Sequence, residues 1–140
     1  MPQDYNFVFP ISVYSAPVKI SSTISLARAR IFYKGVNRNG TYISDEFAEK
    51  LISSIAFAPV KGIFDASAED PDFTDHGAAS SLGKVYGFVP KEHNFKWEDH
   101  KDPDGVTRSY ATVDVILWTE LYKEAKDIVG KTLSMEIYKP

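Results

Sequence analysis

Tyr110–Glu136, YATVDVILWTELYKEAKDIVGKTLSME, is the stretch from which the rest of the chain is read. Val113 to Trp118 is apolar and β-branched apart from Asp114, and too short to cross a membrane, so a largely buried strand is expected. Thr119 is placed to cap a helix in which Leu121, Tyr122, Ala125, Ile128 and Val129 form one apolar stripe and Lys123, Glu124, Lys126 and Asp127 face water. Gly130 stops that helix in a left-handed conformation, and Lys131 to Tyr138 follows as a second short strand carrying Ser134.

Working outward, 140 residues with 44% hydrophobic and 25% charged side chains suit one globular domain with a real core. A formal charge of −3 offers no broad basic face for a phosphate backbone, which argues against nucleic acid as a partner. The absence of cysteine excludes a disulfide framework, a thiol nucleophile and a thiolate metal site. No segment reads as a membrane span, and Asp4, Pro10, Pro17 and Lys19 interrupt the N-terminus too often for a signal peptide, so a cytoplasmic origin is the simplest expectation.

Residues 1–24, rich in Ser, Pro and aromatics, are expected to form an arm or edge strands broken by Pro10 and Pro17, ahead of a domain spanning 25–140. From Ser25, Leu26, Arg28, Arg30 and Phe32 alternate with Ala27, Ala29, Ile31 and Tyr33, a strand with its small residues inward. Arg28 and Arg30 then share a face, either solvated or in contact with a carboxylate or anion. Asn37 to Gly40 is a turn, and Ser44 caps a helix whose stripe is Phe47, Ala48, Leu51, Ile52 and Ile55. Pro59 closes that segment before a core strand over Val60 to Phe64. The acidic run from Asp65 to Asp75 lacks the regular oxygen spacing and glycine of a calcium loop, so it reads as a solvated loop and no metal is assigned. Gly83 to Val89 is another strand, Asp102-Pro103-Asp104-Gly105 a hairpin turn, and His93 and His100 flank Trp97 in a polar connection where solvated or capping roles are expected.

A serine hydroxyl needs a base before it attacks at neutral pH, and histidine suits that work. His76, in Phe73-Thr74-Asp75-His76-Gly77, and Ser134, in Gly130-Lys131-Thr132-Leu133-Ser134-Met135-Glu136, are the two candidates. Their separation in sequence says nothing about their distance, and a packed or hydrogen-bonded histidine is the plainer reading of His76.

The order of features resembles the head-maturation (prohead) serine proteases of tailed bacteriophages, which are similar in fold to the herpesvirus assembly proteases. It consists of a strand, a capped helix, a strand, the Asp75-His76-Gly77 loop, the Gly83-Lys84-Val85-Tyr86-Gly87 strand, a hairpin, an apolar strand, a short helix and Leu133-Ser134-Met135-Glu136. The resemblance spans roughly Ala27 to Ile137. It implies a mostly β, α+β fold: a closed or nearly closed antiparallel β-barrel with helices packed outside. It also implies a serine endopeptidase in which His76 takes the proton of Ser134 and backbone amides stabilise the oxyanion. The implied partners are the phage scaffold and major capsid protein, with self-association, inside the assembling head in the host cytoplasm, and no cofactor is implied.

One departure bears on activity. Members of that family take a third catalytic residue from a strand after the serine, and this sequence ends at Pro140, so it looks like the N-terminal part of a longer protein. Glu136 sits about 7 Å from Ser134 along the same strand, too near to orient the far side of His76. Asp75 is better suited to capping its loop. Asp114, in an apolar strand, requires a partner, for which Arg108, a backbone amide and His76 are the candidates. The alternative from another class is a non-catalytic phage structural or scaffold-associated module of the same fold, and beyond it a small β binding domain with no phage role.

Overall fold

The computed structural model describes residues 6–36, 42–65, 72–74, 84–126, 128–129 and 132–138. The described strands are β1 (Asn6–Val13), β2 (Val18–Lys19), β3 (Ser25–Tyr33), β4 (Gly35–Val36), β5 (Tyr42–Ile43), β6 (Pro59–Asp65), β7 (Asp72–Thr74), β8 (Lys84–Phe88), β9 (Lys96–Lys101), β10 (Thr107–Leu117) and β11 (Thr132–Tyr138). Among the described residues one α-helix, α1 (Asp45–Ser53), lies between β5 and β6. No described helix is long and apolar enough to cross a membrane.

All described pairings are antiparallel: the main sheet has the order β2-β3-β1-β11-β6-β8-β10-β9, with β7 beside β6, and β4 and β5 form a separate two-stranded sheet. The expected closed barrel is therefore corrected to an open, curled sheet with margins at β2 and β9. β10 also pairs with β3 along much of its length, so the sheet bends back on itself. Its corners are thin, however. Contact between β1 and β3 is confined to Ser12↔Arg30 and Val13↔Ala29, that between β11 and β6 to Ser134↔Lys61 and Met135↔Val60, and that between β8 and β10 to Ile116↔Phe88 and Leu117↔Gly87. Such short corners do not make a continuously hydrogen-bonded wall, which is what closure requires.

The mostly β character itself follows from the sequence pattern. Ala27 and Ala29 are buried, Ala111 to Leu117 is buried without a break, and both edges of β10 are paired, β3 along one and β9 and β8 sharing the other. β1 runs through Pro10 opposite Ser134; proline is tolerated there because the pairing with β3 begins only at Ser12, leaving that part of β1 with one partner.

The helix expected after Thr119 is reduced to a single 3₁₀ turn over Lys123–Ala125. Thr119 does not cap it; its hydroxyl is hydrogen-bonded to Ser25 Oγ at 2.7 Å in the interior. Of the expected stripe only Ala125 and Ile128 are fully buried, whereas Leu121 and Val129 are exposed. A stripe that narrow does not repay the cost of nucleating a helix. The helix expected after Ser44 does form: Ser44 Oγ accepts the Phe47 amide at 3.1 Å, Asp45 and Glu46 occupy the first turn, and Ala48 and Leu51 reach the core.

Candidate functional site

Of the sequence-derived pair, Ser134 belongs to β11, with Pro10 and Lys61 as its cross-strand partners. His76, Asp75, Gly130 and the Asn37–Gly40 turn lie outside the described residues, as does most of the acidic run. Glu136 is paired in register with Val8.

Asp114 has a partner, though not Arg108. Its carboxylate accepts Arg28 Nη1 at 3.1 Å and Asn94 Nδ2 at 2.6 Å, and its own amide donates to His93 O at 2.7 Å. Arg108 is engaged elsewhere, gripping Asp102 and Asp104 at 2.6 to 3.1 Å across the β9–β10 turn. Arg28 thus takes the carboxylate contact rather than the solvated face, while Arg30 lies over the Tyr14 ring at 4.3 Å.

Arg28 is the hub of this polar cluster. Its guanidinium also donates to Thr112 Oγ1 at 2.6 Å and to the carbonyls of Asn94 and His93 at 2.8 and 3.3 Å, and its Nε to Tyr14 OH at 3.4 Å. Glu98 joins through the hydroxyls of Thr112 and Tyr14. Burial alone would lower the Arg28 pKa; hydrogen bonds with Tyr14 and Asp114 outweigh it and hold the group above its ordinary value. Glu98 is held below the ordinary carboxylate range, first by Thr112 and then by Tyr14. His93 is lowered, chiefly by desolvation and further by Arg28, against the opposing pull of Asp114, and its buried Nδ1 has no hydrogen-bond partner among the described residues.

The cluster fixes the segment from His93 to Glu98 on one side, and the other side of that segment forms a groove. Phe95 and Trp97, separated by two positions, join Ala48 and Ile52 of α1 as the lining of a cavity of about 420 Å³. Trp97 is wedged edge-on between Phe32 and Phe95, with centroids 6.1 and 5.3 Å away. Lys34 bridges the rim: its ammonium lies 4.6 Å above the Trp97 ring and 3.2 Å from Asp45 Oδ1. Glu49, one turn beyond Asp45, completes the rim.

Of the groove residues, Ala48 and Ile52 belong to the apolar stripe expected for the helix, whereas Phe95 and Trp97 were not expected to line a site. The available signal was Phe95-Lys96-Trp97, two aromatics on one strand face within a polar stretch. Chemically, the polar cluster is a self-satisfied anchor, while the groove combines an apolar lining with a charged rim open to a ligand.

A family model described as the YonD N-terminal domain matches residues 22–140. No curated protein and no solved structure matches the chain. Since the matched span covers most of its length, the chain belongs to the YonD N-terminal domain family.

Proposed function

We propose that this domain is a protein-interaction module that receives a short segment of a partner protein in the groove between α1 and the Phe95–Trp97 segment at the start of β9. The observation that carries the reading is the groove's construction: aromatic side chains stand at its wall, held from behind by a buried ion cluster, so the surface is set before a partner arrives. Aromatic anchors in a preformed cleft are the usual centre of binding energy at protein interfaces. Among the readings of the sequence it stands nearest to the small β binding domain. Selection of a random peptide library on the domain, followed by mapping of amide shifts, tests it. Enriched peptides are expected to shift residues 45–53 and 95–97; enrichment that maps elsewhere, or no enrichment, rejects the groove.

The serine peptidase reading is a second proposal, favoured by one observation. Ser134 and Lys61 are direct register partners on β11 and β6, and lysine is a residue type that replaces histidine as base in some serine peptidases. Its test is Ser134→Ala in the full-length protein co-expressed with scaffold and capsid protein, beside His76→Ala. Loss of processing in Ser134→Ala supports the reading, and unchanged processing removes it.

A further inference from the structure

The groove's charges identify the partner's chemistry. Lys34 is already matched, with Asp45 as its ion-pair partner and the Trp97 ring beneath it. Glu46, on the same helix, is matched by Lys50 at 3.9 Å. Glu49 lines the groove, is exposed, and among the described residues has no hydrogen bond or ion pair. One negative charge is therefore left over at the mouth of an apolar trough.

We infer that the partner segment presents a lysine or arginine to Glu49, with the aliphatic stem of that side chain lying along Ile52 and Phe95. The inference rests on the interaction-module reading and adds the sign of the ligand. Long basic side chains combine an apolar stem with a charged head, which is the combination the trough and its rim complement. Arginine has the further option of stacking on the aromatic wall. An acidic segment meets the unmatched charge of Glu49, since Lys34 and Asp45 offset one another, and is repelled.

The experiment uses a groove-binding peptide from the selection in three forms: with arginine, with norleucine at that position, and with glutamate. Binding is read by fluorescence of Trp97 in a Trp118→Phe background and, independently, by amide shifts of residues 45–53 in the unmodified domain. The arginine form is expected to bind best, the norleucine form about threefold to fivefold more weakly, in line with an exposed ion pair, and the glutamate form more weakly still. Glu49→Gln is expected to erase the difference between arginine and norleucine. Equal binding of arginine and norleucine peptides to the unmodified domain overturns the inference and leaves the docking reading standing. Failure of every peptide to reach the groove overturns both.

Discussion

Arg28 and Asp114 are direct register partners on β3 and β10, and their side chains close the register with an ion pair, Nη1 lying 3.1 Å from Oδ1. Only 21% and 10% of the two side chains is exposed, so neither charge is tolerable there alone. Asp114→Ala is expected to cost about 3 kcal/mol, the usual loss when a buried pair is broken from one side. The double replacement Arg28→Met with Asp114→Leu removes both charges and is expected to recover most of that loss. Urea denaturation of the single and double variants measures the difference. A double variant no better than Asp114→Ala would mean that the other Arg28 contacts, to Thr112 and the His93 and Asn94 carbonyls, dominate.

The same cluster, together with the separate Asp102–Arg108 group, predicts an acid-sensitive stability with two windows. His93 has a folded-state pKa below its ordinary 6.5, chiefly through desolvation, so the unfolded chain binds its proton more readily than the folded one. Its contribution is complete above 6.5 and is lost as pH falls from there through the lowered folded value. Glu98 and Asp102 are also depressed: Glu98 chiefly by Thr112, and Asp102 because its bonds to Arg108 and Tyr110 outweigh the upward push of burial. Their stabilisation is lost only further down, as pH falls through the carboxylate range. His93→Asn is expected to flatten the upper window and leave the lower one. A variant with the same pH profile as the parent between pH 7 and 5.5 would rule out His93 as the group responsible.

Gly87 faces a different constraint. A Cβ built there would lie 1.9 Å from the backbone oxygen of Ile116 and 2.9 Å from its carbonyl carbon, a collision with main chain that no rotamer relieves. The contact lies at the thin β8–β10 corner, where Leu117↔Gly87 is one of two register pairs. Gly87→Ala is expected to cost about 3 kcal/mol or to prevent folding, at or beyond the upper end for overpacked sites. Gly105→Ala, where a Cβ meets nothing within 4 Å but φ is +86°, is expected to cost less. Thermal melts that rank the two the other way would mean that the corner yields.

Ser44 controls the helix that forms one wall of the groove. Its hydroxyl oxygen satisfies the Phe47 amide, and Ser44→Ala is expected to lower stability by about 1 kcal/mol, whereas Ser44→Asp restores it. If α1 is the wall of a binding groove, the alanine variant also weakens capture of groove-selected peptides, and the aspartate variant does not. Chemical denaturation and peptide titration on the three proteins check both halves of the expectation.

The legible parts of the fold were those governed by local pattern. The alternation of Ala27 and Ala29 with the arginines, the unbroken apolar run of β10, the Ser44 cap and the Asp102–Gly105 turn, closed by Gly105 N donating to Asp102 O at 2.9 Å, all follow from rules that act within a few residues. What was not legible depends on distant partners. Pro10 suggested a broken margin, yet β1 runs between β11 and β3 because its pairing with β3 starts beyond the proline. The Leu121–Val129 stripe had a helical period, but Trp118 packs on Phe88 and Thr119 bonds to Ser25, and those anchors leave the chain turning instead of winding. Closure of the sheet into a barrel is a property of all its corners at once, which no local pattern reports. The requirement that Asp114 have a partner was readable; that the partner is Arg28 follows only from the β3–β10 register. The candidate pair His76 and Ser134 came from the order of motifs, a signal that carries no distance.

Phe57 offers a test in the opposite direction, where a substitution should stabilise. It has φ of +65° and is 64% exposed, an unfavourable combination for a bulky side chain. The conformation is imposed by the turn that leads from α1 into β6: Phe57 N donates to Val89 O at 2.6 Å, and Ala58 N closes back on Ile55 O at 2.9 Å. Left-handed backbone costs a non-glycine residue about 1–2 kcal/mol, while glycine adds unfolded-state freedom worth about 0.4–1 kcal/mol. Phe57→Gly is therefore expected to gain about 0.5 kcal/mol, and Phe57→Asn, which tolerates this region without the full entropic penalty, at least as much. Urea midpoints at unchanged slope measure the gain. A loss above about 1 kcal/mol in both variants would show that the part of the ring that is covered contributes more through packing than its backbone costs, since burial is the one stabilising contribution that both substitutions remove.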